Sequence, residues 1–71
     1  MSTLEALVSI SQTLLRARGQ WCVTGIDETL RRDIRATVHD CANLLRLDDS
    51  DHEFYSAYAV AELERRATQA E

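Results

Sequence analysis

The 71-residue chain contains no proline, no lysine and only two glycines, Gly19 and Gly25. Without proline, and with so little glycine, it has few turn formers for a multistranded sheet, whereas long uninterrupted helices suit it. No apolar run approaches the roughly 20 residues that cross a bilayer, and no basic segment precedes one, so we expect a cytoplasmic chain with no membrane partner. The two cysteines, Cys22 and Cys41, are too few for a secreted disulfide framework and should stay thiols in a reducing compartment. With lysine absent, all eight basic residues are arginine, a bias attributed to GC-rich coding before any binding chemistry.

What is present balances as in ordinary globular domains: 45% hydrophobic and 28% charged residues, well away from the composition of disordered chains. The formal charge of −4 argues against a general polyanion binder. At this length a single core supplies no more than about 3–5 kcal/mol without a disulfide, a metal or a second subunit. The expectation is therefore a single domain over residues 1–71 that works as a subunit or binding partner.

Three helix starts can be read. Ser2-Thr3-Leu4-Glu5 has the form of a capping box, and a first helix is expected over about 3–18, with Arg16 and Arg18 in its last turn and Gly19 as its stop. Trp21 in the connection after it should lid the core. Thr24-Gly25-Ile26-Asp27 is a weaker box, with Asp27 itself an alternative cap, and opens a second helix over about 25–47. Its apolar stripe is Ile26, Leu30, Ile34, Val38, Cys41 and Leu45. Ser50-Asp51-His52-Glu53 is a further box, giving a third helix over about 51–67 with Phe54, Ala57, Val60, Ala61, Leu63 and Ala67 inward. The fold class is thus all-α, either a small three-helix bundle or a helical hairpin plus a third helix, and dimeric.

The dimer expectation comes from an apolar excess. Leu4, Leu7, Val8, Ile10 and Leu14 spread around too much of the first helix for one neighbour to cover, and Leu44 and Leu47 add to the end of the second. These seven form the expected self-association surface. At the start of the third helix Asp48, Asp49, Asp51 and Glu53 stand beside Tyr55 and Tyr58. This acidic and aromatic patch suits a basic groove on a protein partner, although carboxylates at a helix start also simply stabilise the helix.

Little in the sequence carries a reaction. His39 and Cys41 are two apart and point to different sides of a helix, neither cysteine has a partner at ligand spacing, and no nucleophile has a recognisable base, so we expect no metal, no cofactor and no enzyme. A Cys22–Cys41 disulfide is sterically conceivable but disfavoured in a reducing compartment. Arg31, Arg32 and Arg35 could serve a DNA-associated transcriptional regulator. Against this, Asp27, Glu28 and Asp33 offer them ion-pair partners, the turn before the third helix reads as longer than a helix-turn-helix allows, and that helix would lead into the groove with carboxylates. The favoured expectation is a non-catalytic interaction module, a regulator or inhibitor that binds another protein, of the kind phages and mobile elements direct against a host; this last step is analogy. The third possibility is a structural subunit of a larger helical assembly.

Overall fold

Each helix boundary is set by where backbone amides and carbonyls find partners. The computed structural model describes residues 2–21 and 26–69, and among these the order is α1 (Thr3–Ala17), α2 (Glu28–Leu44) and α3 (Asp49–Gln69). The Ser2 side chain accepts from the Glu5 amide at 3.1 Å and opens α1. Gly19, at φ 70°, closes it, its own amide donating to Arg16 and the Gln20 amide donating to Leu15 at 2.8 Å. Those two bonds are the 5→2 and 6→1 pair of a Schellman motif. Trp21, just beyond, is half-buried against the core.

The Asp27 carboxylate caps α2 by accepting from the Leu30 amide at 2.7 Å. The helix therefore begins after the cap rather than near residue 25; the Thr24-Gly25 part of the expected box lies outside the described residues. It also stops three residues earlier than expected. Arg46 turns to φ 57°, its amide donates to Asn43, and the Leu47 amide donates to Ala42. This is the same closure as at Gly19, made by a residue that sends no stop signal in sequence.

α3 begins two residues before the expected start. The carboxylate of Asp48 accepts from the Asp51 amide at 2.8 Å, and its carbonyl accepts from His52. Asp48 thus takes the capping role expected of Ser50, which lies inside the first turn. An aspartate reaches the same amide as a serine, and the earlier cap gives a longer helix. The connection from α2 is then only Leu45–Asp48, so the expected long turn is corrected to four residues.

All three helices pack on one another, which selects the closed bundle over a hairpin with a separate arm. The radius of gyration, 11.4 Å, matches the roughly 11 Å of a compact chain of this size. Leu7, Val8 and Leu15 of α1 meet Leu30, Ile34, Val38, Cys41 and Ala42 of α2 and Ala59, Leu63 and Ala67 of α3 in one buried core. Each fully buried leucine or isoleucine contributes about 1.5–3 kcal/mol of apolar transfer. Set against it is Ser11, fully buried with no hydrogen-bond partner for its hydroxyl among the described residues, which costs about 1–3 kcal/mol.

α3 meets this core through a stripe different from the expected one. Tyr55, Ala59, Val60, Leu63 and Ala67 face inward, whereas Phe54, Ala57 and Ala61 are exposed. Apolar residues surround much of this helix, so hydropathy leaves its phase open, and the packed face is the one that brings Leu63 and Val60 onto the core.

Candidate interaction site

The inward face of α3 has a counterpart outside. Phe54, Ala57, Tyr58 and Ala61 recur at i, i+3, i+4 and i+7, one helical face, and all four are exposed. Phe54 is 56% and Tyr58 55% accessible. Their rings lie 4.9 Å apart between centroids, and Phe54 meets Tyr55 edge-on at 5.3 Å. Two large rings thus hold each other in place on the solvent side. Beyond Tyr58 the face continues into a groove against α1, floored by Leu4, Val8, Tyr58 and Ala61 and rimmed by Glu5, Glu62, Arg65 and Arg66.

Charge frames the face at both ends. Asp48, Asp49, Asp51 and Glu53 are all exposed at the start of α3, though Asp48 is engaged as the cap. At the far end Glu62 accepts from the Nε of Arg65 at 2.9 Å and the Nε of Arg66 at 3.1 Å. The hydrogen bond from Arg65, then that from Arg66, lowers the Glu62 pKa from 4.5 to about 2, against an opposing effect of desolvation. The same partner raises the Arg65 pKa. Arg66 also donates to Gln12 at 2.8 Å, tying α3 to α1.

Of the expected partner-binding residues, Asp51 and Tyr58 lie on this face, Asp49 and Glu53 are exposed on other sides of α3, and Tyr55 is half-buried and packs on the core. Phe54, expected inward, lies outside. The signal in the sequence is its i, i+4 spacing to Tyr58, which places the two rings on one face.

The expected self-association residues separate. Leu7 and Val8 are buried inside the monomer, a correction with a simple cause: two neighbouring helices cover that side of α1. Leu4, Leu14 and Leu47 are half-buried against the core. Only Ile10, 41% exposed, and Leu44, 75% exposed, remain open.

Arg31, Arg32 and Arg35 are exposed on α2. Arg31 lies 3.8 Å from Glu28; among the described residues neither Arg32 nor Arg35 makes an ion pair, so the expected pairing with Asp27 and Asp33 does not form. Cys41 is a buried free thiol, and Cys22 lies outside the described residues. His39 and His52 touch across the α2–α3 seam, with ring centroids 4.7 Å apart. His52 is held by Asn43 at 3.0 Å and by Ser56 at 3.4 Å.

Among the described residues no group of three or more histidine, cysteine or carboxylate side chains could hold a metal ion, and no helix is long and apolar enough to cross a membrane. No protein-family model, no curated protein and no solved structure matches the chain.

Proposed function

We propose that the chain is a non-catalytic interaction module that regulates or inhibits another protein, and that it engages a basic surface of that protein through the Phe54–Tyr58 face of α3. The observation that carries this reading is the pair of exposed, mutually packed rings, with the exposed carboxylate of Asp51 one turn before Phe54 on the same side of α3. Aromatic side chains supply most of the affinity of small interfaces, and surrounding charge sets partner choice and association rate. A monomer gains nothing in its own stability from leaving both rings in water.

The test is site-directed photo-cross-linking in the native host, with a benzophenone side chain in place of Phe54 and, as the control, in place of Thr29 on α2. A discrete adduct at position 54, absent at 29, is expected. Replacing Asp51 by arginine should reduce its yield about tenfold, as loss of complementary charge slows encounter. Equal labelling at the two positions sinks the proposal, and a yield indifferent to charge reversal removes the basic partner.

A second reading, DNA association through Arg31, Arg32 and Arg35, draws on the absence of ion pairs at Arg32 and Arg35 among the described residues. It predicts salt-dependent retention on duplex DNA. No retention at low salt eliminates it.

A further inference from the structure

The seam between α2 and α3 holds a polar cluster that neither the aromatic face nor the core uses. The two helices run antiparallel across their short connection, which brings His39 and Asn43, one turn apart on α2, against His52 and Ser56, one turn apart on α3. The rings of His39 and His52 meet with centroids 4.7 Å apart and planes at 65°. We infer that these two imidazoles form a binding site for a divalent transition ion, Zn²⁺ or Ni²⁺, that clamps α2 to α3.

Distance selects this ligand. With each metal–nitrogen bond at about 2.0–2.1 Å in line with its ring centre, two imidazoles on one tetrahedral or octahedral ion have centres roughly 4.5–5.2 Å apart. The observed 4.7 Å falls inside that interval, so the helices already stand at the spacing a bridging ion requires. Imidazole nitrogen suits zinc and nickel, whereas Mg²⁺ and Ca²⁺ take oxygen ligands.

The tautomer of His52 is set for the role. Asn43 accepts through its Oδ1 at 3.0 Å, so Nε2 carries the proton and Nδ1 of the neutral ring keeps a lone pair. That lone pair meets the Ser56 hydroxyl at 3.4 Å, longer than the roughly 2.8 Å of a firm hydroxyl hydrogen bond, so an ion can take its place at little cost. A metal-bound histidine ordinarily donates its other N–H to a carbonyl or carboxylate, which orients the ring and raises its basicity. Asn43 supplies that carbonyl and is the positioning residue of the site.

His39 is exposed and His52 half-buried, so the open side of the pair faces water. Two protein nitrogens are fewer than a catalytic zinc takes from its protein, and water completes the coordination, which keeps the affinity modest. Arg35, a turn before His39, and Asp49, a turn before His52, are both exposed. They act on a cation in opposite directions, so the imidazoles decide binding. Because the pair is assembled only when α2 and α3 are packed, an ion held there stabilises the folded chain by mass action.

Thermal unfolding of the untagged full chain, followed by circular dichroism with and without about 1 mM Zn²⁺ or Ni²⁺, tests this inference. Either ion should raise Tm by roughly 5 °C, and Mg²⁺ at the same concentration should not. His39→Ala, at an exposed position, should melt like the wild type without metal and lose the shift. Asn43→Leu should weaken ion affinity about tenfold through the freed His52 ring. Cys22→Ser should retain the shift, and Ni²⁺ below one equivalent should broaden the proton resonances of both imidazoles together. No shift with either ion, an equal shift with Mg²⁺, or a shift that survives His39→Ala overturns the inference. So does its loss in Cys22→Ser, which would place the ion on a thiol. None of these results bears on the cross-linking of a foreign partner at position 54.

Discussion

The ends of α1 and α2 are closed by the same two hydrogen bonds, yet one uses glycine and the other arginine. At Gly19 the left-handed backbone is free of steric cost; at Arg46 the same turn sets a Cβ against the neighbouring carbonyl, at about 1–2 kcal/mol. Both turns form, so at the second the surroundings must hold the backbone. Leu47, half-buried beyond it, and the immediate start of α3 leave the chain little other route. A helix end can thus be set by the next segment of chain as firmly as by its own residue.

Three changes break or sharpen this contrast. The largest effect is expected for Gly19→Val, which forces a β-branched residue to positive φ and should lower the free energy of unfolding by about 1–2 kcal/mol in urea melts. No atom lies within 4 Å of where a Cβ would stand, so that loss would be one of backbone conformation alone. The opposite change, Arg46→Gly, should raise stability by up to about 1 kcal/mol, reduced by the greater freedom of glycine in the unfolded chain. The smallest effect concerns the other end of the molecule, where α3 is braced by the pairing of Glu62 with Arg65 and Arg66. Because the folded pKa of about 2 lies below 4.5, this contribution is complete above about pH 4.5 and disappears as pH falls toward 2. Wild type should therefore lose slightly more stability than Glu62→Gln over that window, as read by acid titration of the circular dichroism.

The same contrast shows how much the amino-acid pattern can convey. Gly19 announces its turn, and α1 ends within a residue of the expected place. Arg46 announces nothing, and the expected second helix runs three residues too far, through Leu47. The α2 stripe from Leu30 to Cys41 is legible because charged residues occupy its other faces. α3 offers no such contrast, with Phe54, Ala57 and Ala61 as apolar as Ala59 and Leu63. Its core face is settled by where it meets its two neighbours, a property of the assembled bundle. The acidic and aromatic region is recognisable in sequence through Asp51 and Tyr58. Its most exposed ring, Phe54, is lost with the phase of the helix. Among the residues expected for self-association, Leu7 and Val8 are indistinguishable in sequence from Ile10 and Leu44, since only the packed monomer decides which apolar side chains are already covered.

The small polar contacts between helices have a topological consequence. Three amphipathic helices can close with α1 on either side of the α2–α3 hairpin, and leucines, being interchangeable and without direction, satisfy both arrangements almost equally. Hydrogen bonds have direction and fixed length. The bond from Arg66 to Gln12, which joins α3 to α1, fits one handedness of the bundle, whereas the bond of His52 to Asn43 fixes only the α2–α3 hairpin. The value of the first to this chain lies less in holding the helices together than in favouring one side of the hairpin for α1.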